Sequence, residues 1–339
     1  MKRELDLKNY SIRTDLAIES IDNTINTKTE NIDGIKVTTV KLNKTEAAQI
    51  NKKEGTYITI EFEDTTDYNN KERLKAVFSD SIKKLLKILK IKDNASSLII
   101  GLGNDKSTPD SLGPLAIDNI VVTRHLFKLG NVNDGFRCVS AIAPGVMGQT
   151  GIETSDLIKS IVQTENPDFL VVIDALASQS IERVNKTIQI TDAGIHPGSG
   201  IGNKRKEISK EVIGKPVIAI GVPTVVDAVT IVSDTINYMY KHFSYTKSHI
   251  NSPANKLSIG SANYLKKDIN ITKEDRENLF GLVGKLNEMD VKKLIYEVLS
   301  PIGYNLMVTP KEVDFVMEKL GDVIGNGLNR ALHNNIENL

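Results

Sequence analysis

Three uninterrupted apolar runs limit the possible folds of these 339 residues more than any other feature: Leu98-Ile99-Ile100, residues 169–173 (FLVVI) and residues 216–221 (PVIAIG). Short, β-branched runs bounded by turn residues form strands buried on both faces. Between and after them, about 113–129, 151–165 and 227–242 carry helical spacing. With residues 136–142 and 187–191 as further strands, the alternation predicts an α/β fold, a mainly parallel sheet covered by helices on both faces.

The flanks read differently. Residues 35–42 and 56–62 alternate apolar and polar side chains, as half-exposed strands do, and 72–90 is an amphipathic helix with a basic outer face. Residues 22–34, rich in Asn, Thr and Asp, read as a flexible connection. Residues 244–271 lose all period, Thr272 with Asp275 forms a capping box, and Val313 to Leu328 is a last amphipathic helix. The expected organisation is a single α/β domain with its core at about 96–243, behind a short charged N-terminus.

Forty-three basic residues balance forty-three acidic ones, so nothing draws the chain to nucleic acid or anionic lipid directly. A single cysteine, Cys138, excludes an intrachain disulfide framework, and its apolar run suits a buried, inert thiol. No apolar run approaches 18 residues, which predicts a cytoplasmic-type protein without a membrane span. No cofactor is called for. Gly101-x-Gly103 follows a strand, but no third glycine opens the helix and Pro109 lies in the loop, so a dinucleotide fingerprint fails.

Two acids remain. Asp110 follows the first buried strand and Asp174 ends the third, and right-handed crossovers bring both to one sheet edge. Neighbouring carboxylates cannot both ionise cheaply, so one keeps its proton, and the pair supplies a general base and a general acid. The plainer reading is that each caps a helix. Asn104, Asp105 and His196 are supporting candidates; Asp118 and Asp227 are lesser ones. His196, which opens the glycine-rich loop 196–202, is either a turn residue, an orienter of the carboxylates, part of a loop that aids an oxyanion, or the third ligand of a two-acid metal site.

Gly101-Leu-Gly103-Asn104, Thr108-Pro109-Asp110-Ser-Leu112-Gly113-Pro114, Val171-Val-Ile173-Asp174-Ala175-Leu176-Ala177 and Gly194-Ile-His196-Pro197-Gly198 together resemble the germination protease family, endopeptidases of spores. Tyr10-Ser11-Ile12-Arg13-Thr14-Asp15-Leu16-Ala17 resembles that family's propeptide junction. The resemblance implies that Asp110 and Asp174 match the catalytic aspartates. It implies a propeptide of residues 1–15, removed by self-cleavage between Asp15 and Leu16 to leave a single catalytic domain over 16–339, and substrates cut after an acidic residue and before a large apolar one. It also implies a homotetramer that degrades small acid-soluble spore proteins in the spore core. A more distant similarity, to hydrogenase-maturation endopeptidases, covers the Gly-x-Gly-Asn turn and the Ile-Asp-Ala stretch, and extends to the expected fold. The rival readings are a metal-dependent hydrolase using Asp110, Asp174 and His196, and a non-catalytic spore-protein-binding subunit whose acids merely cap helices.

Overall fold

The computed structural model describes residues 14–21, 25–198, 205–249, 271–299 and 306–334. Two compact units emerge, a larger one of Arg13–Val225 with Thr309–Leu339 and a smaller one containing Val226–Val308. The strands are β1 (Thr27–Ile32), β2 (Ile35–Leu42), β3 (Gly55–Glu61), β4 (Ser97–Gly101), β5 (Val139–Ile142), β6 (Phe169–Ser178), β7 (Thr187–Thr191), β8 (Val217–Asp227) and β9 (Met307–Val308). In the larger unit their order is β1-β2-β3-β7-β8-β6-β4-β5.

The α/β sheet has two halves. Strand β4 runs parallel to both β5 and β6, while β1, β2, β3, β7 and β8 pair antiparallel in succession. Leu170 N–H donates to the Pro216 carbonyl at 2.9 Å, which sets the starts of β6 and β8 side by side. Side chains of successive strand residues point to opposite faces. Ile99, Val171, Ile173, Ile188, Ile190, Ile218 and Ile220 meet Leu74, Phe78 and Ile82 of the helix Tyr68–Ile88 and Met317, Leu320 and Ile324 of the helix Val313–Leu332. Leu98, Ile100, Leu170, Val172 and Val217 meet Ile158 and Val162 of the helix Thr154–Glu165 on the other face. Both faces are therefore covered, as continuous apolar strands require.

Three local expectations are corrected. The connection expected at 22–34 contains β1, an edge strand whose polar side chains stay exposed while its backbone pairs with β2. The helix expected at 113–129 is two, Leu112–Ile117 and Arg124–Leu129. Asn329, buried on the C-terminal helix, accepts from Val121 N–H at 2.9 Å and donates to the Asn119 carbonyl at 2.8 Å. Those backbone groups are thereby withdrawn from helix continuation. Finally, Asp174 does not end its strand, because β6 continues to Ser178.

In the smaller unit, Val291 and Ile295 of the helix Glu288–Leu299 pack with Val229 of the helix Ala228–His249. Helix thus occupies the first residues of the stretch expected to lose its period; 250–270 lie outside the described residues. The Thr272–Asp275 capping box opens the helix Lys273–Phe280 as expected.

Gly113, at the start of the helix Leu112–Ile117, rests directly on β4. A Cβ there would lie 2.1 Å from the Leu102 carbonyl oxygen and 2.5 Å from its nitrogen. Backbone cannot yield as a side chain can, so Gly113→Ala is expected to cost about 2 kcal/mol or more, read as a lowered urea midpoint at unchanged slope.

Candidate active site

Strand β4 delivers the first acid. Gly101 pairs with Ile173 of β6, and Leu102 N–H then donates to the Ile173 carbonyl at 2.8 Å. The chain turns at Gly103 (φ +111°), where a Cβ would fall 2.0 Å from the Asp110 carbonyl oxygen, so only glycine fits. Asn104 N–H donates to the Asp110 carbonyl at 2.9 Å and to Asp110 Oδ2 at 3.0 Å. The short turn Thr108–Asp110 is held from β8, where the Thr224 hydroxyl donates to the Pro109 carbonyl at 2.6 Å. Asp110 therefore bonds back to the head of its own loop; the N-cap of the next helix is Ser111.

Asp174 lies on β6 in the alternate series with Leu170 and Val172, and is 5% exposed. Its Oδ1 accepts from Ala175 N–H at 3.0 Å, within the strand, so it caps no helix. Burial, the charge of Asp110 and the charge of Asp15, in that order, hold its carboxyl well above the usual range. Burial also raises Asp110, against the opposing hydrogen bond from Asn104. The charge of Asp110 thus reaches Asp174, and both carboxyls resist ionisation.

The third charge comes from the N-terminal stretch. Asp15 N–H donates to the Ala177 carbonyl at 3.2 Å, and Asp15 Oδ2 accepts from Ala177 N–H at 2.9 Å. The stretch thus lies along the far end of the strand that carries Asp174. Lys52 Nζ donates to the Thr14 carbonyl at 2.6 Å. Burial lowers the Lys52 ammonium pKa, while the charges of Asp15 and Glu19 oppose that shift. Gln189 donates from Nε2 to the Asp15 carbonyl at 3.2 Å and accepts at Oε1 from Ala17 N–H at 2.6 Å. Leu16 and Ala17 are fully buried. Glu19 anchors the exit, accepting from the Ser178 hydroxyl at 2.6 Å and Gln179 N–H at 2.8 Å. Residues 1–13 of the expected propeptide lie outside the described residues.

The other candidates divide. Asn104 touches Asp110 directly, whereas Asp105 is exposed and accepts from Gln149 Nε2 at 2.9 Å. His196, its side chain 52% exposed, points Nε2 toward Glu207 at 3.5 Å. Among the described residues no three His, Cys, Asp or Glu side chains gather as a metal cage. Residues 199–204, which include the rest of the glycine-rich loop, lie outside the described residues. Asp118 is exposed, and Asp227 accepts from Val229 N–H at 2.7 Å at a helix start in the smaller unit.

Sequence reasoning missed Gln189, Lys52 and Glu19. A signal for Gln189 does exist: Thr187-Ile-Gln-Ile-Thr191 is buried throughout, and a buried carboxamide needs partners.

A family model for germination proteases matches residues 5–339. The germination protease of Geobacillus sp. (strain WCH70) is 48% identical, over 99% of this chain and 98% of its own. That of Bacillus subtilis (strain 168) is 49% identical over 99% of this chain and 97% of its own. A [NiFe] hydrogenase maturation protease, HycI from Thermococcus kodakarensis KOD1, overlaps 38% of this chain and 74% of its own at 20% identity and a TM-score of 0.25, too slight to carry an argument. Among the described residues no helix is long and apolar enough to cross a membrane. With the family model running nearly end to end and identity near one half, the chain belongs to the germination protease family of peptidases.

Proposed function

We propose that this peptidase is an aspartic-type endopeptidase, made as a self-processing zymogen, and that Asp110 and Asp174 are its catalytic pair. The observation that carries the reading is electrostatic: the buried Asp174 carboxyl feels both Asp110 and Asp15, the residue before the expected cut. Asp174 is the better proton holder, being more deeply buried and facing two negative charges. Asp110 is less buried and accepts a backbone N–H that favours its ionised form, which suits a base.

The chemistry balances with those two groups and one water. Asp110 takes a proton as the water oxygen bonds to the Asp15 carbonyl carbon. Asp174 gives its proton to the Leu16 nitrogen as the C–N bond breaks. The products are a new carboxyl group at Asp15 and a new amine at Leu16, which takes up the carboxyl proton, and Asp110 passes its own proton back to Asp174. In the precursor the Asp15–Leu16–Ala17 stretch is held by Ala177 and Gln189, as a substrate in waiting. Its full burial at Leu16 and Ala17 matches a preference for a large apolar residue after the cut and a small one next. Family membership supports the remaining parts: small acid-soluble spore proteins as substrates, a homotetramer, and action in the spore core.

Asp110→Asn and Asp174→Asn are each expected to slow cleavage of a small acid-soluble spore protein by about 10²–10⁴-fold; an unchanged rate in either removes the pair mechanism. After acidification, N-terminal sequencing of the processed chain is expected to begin at Leu16, and any other start defeats the junction.

The stability sign also follows. The folded pKa of Asp174 lies above its unfolded value near 3.8, so its contribution is complete below that pH and lost as pH rises through the raised folded value. Asn stays neutral throughout. Asp174→Asn is therefore expected to raise Tm relative to the parent at pH 8, with the gain shrinking steadily toward pH 4. A gain that is flat with pH would show that Asp174 ionises as easily folded as unfolded.

A further inference from the structure

A side chain that bridges two backbone groups on either side of one residue fixes that residue's place along the site. Gln189 does this across Leu16. Its Nε2 lies 3.2 Å from the Asp15 carbonyl oxygen and its Oε1 lies 2.6 Å from Ala17 nitrogen. The partners dictate which end is which, since a carbonyl can only accept and a backbone N–H can only donate.

The platform for this side chain is rigid. Gln189 sits in β7 with both backbone neighbours paired, opposite Thr59 of β3 and opposite Gly221 of β8. Ile188 and Ile190 point to the face covered by the long helices, so Gln189 points to the other, which it shares with Asp174 by strand alternation. Gly221, paired beside Gln189 on β8, leaves room for the Leu176 side chain on that face: a Cβ there would fall 2.3 Å from Leu176 Cδ1. Gln189 is itself only 6% exposed, so its two hydrogen bonds form out of water, where they are strongest.

We propose that Gln189 is the residue that polarises the carbonyl being cut and sets the substrate's register, rather than a strand residue satisfied by chance. This rests on the reading of Asp15–Leu16 as the scissile bond. As water adds, negative charge grows on the Asp15 carbonyl oxygen, and the Gln189 N–H already aimed at it gains strength. Its Oε1 meanwhile holds the N–H one residue beyond the leaving nitrogen, so the bond presented to the acids cannot slide by a residue. Substrates entering from outside are read the same way, through main-chain groups that any sequence offers. Side-chain choice is left to the Leu16 and Ala17 pockets.

The test uses the purified full chain, acidified, with self-processing followed by intact mass and the cut located by N-terminal sequencing. Gln189→Met keeps the volume and loses both hydrogen bonds; Gln189→Ala is the second variant should the first misfold, with thermal melting as the check on both. Ala17→Pro removes the N–H accepted by Oε1 and is backbone-compatible, because Ala17 is the first residue of its short helix and Leu16 is extended. Gln189→Met is expected to slow the cut by about 10²–10³-fold and to scatter its position. Ala17→Pro is expected to slow it about tenfold more in the parent than in Gln189→Met, because any cost of the ring in its pocket is common to both. A folded Gln189 variant that cuts after Asp15 at the parental rate overturns the proposal, as does an equal Ala17→Pro penalty in both backgrounds. A parent chain cut elsewhere, or Asp174→Asn cutting as fast as the parent, removes the underlying reading and this inference with it.

Discussion

An ionised carboxylate in the middle of a sheet covered on both faces is expensive, and Asp174 occupies that position. On the proposed reading, that cost is what makes the group useful. A carboxyl that resists ionisation holds a proton at pH values where an ordinary aspartate has lost it. Placing Asp110 at the mouth of the adjacent strand raises that resistance further, and the parallel pairing of β4 with β6 is what makes the approach unavoidable. The surrounding details serve this placement. Gly103 lets the loop fold back on Asp110, Asn104 keeps Asp110 the easier of the two to charge, and Thr224 pins the turn between them.

The N-terminal stretch adds a second layer. Asp15 brings another negative charge to the same carboxyl; its backbone is fastened by Ala177 and Gln189, and the preceding Thr14 carbonyl by Lys52. On the proposed reading, the acidic residue before the cut does more than identify the substrate. Its charge helps keep Asp174 protonated until the leaving nitrogen needs that proton, and cleavage followed by departure of Asp15 withdraws the help. Occupancy by the chain's own segment, with Leu16 and Ala17 fully buried, would also keep other peptides out of the precursor.

Much of this was visible in the letters alone. The apolar runs at 98–100, 169–173 and 216–221 are strands, and the amphipathic stretches at 72–90 and 313–328 are the helices that cover one face. Where local reading failed, a distant partner had intervened. The helix after Gly113 stops because Asn329, more than two hundred residues away, takes its backbone groups. Strand β1 forms from a polar segment because β2 offers it a ladder. Strand β6 runs past Asp174, and the N-terminal stretch bonds to its continuation at Ala177.

The order of apolar and polar residues was enough to determine an α/β sheet, its helical cover and two acids that follow apolar runs, because periodicity and burial are properties of short stretches. Tertiary structure alone decided that Asp15 pairs with Ala177, where its charge reaches Asp174, that His196 turns to Glu207 instead, and that a glutamine in β7 grips the chain on both sides of Leu16. Those outcomes are set by contacts between segments up to 174 residues apart, whose distances no local pattern encodes.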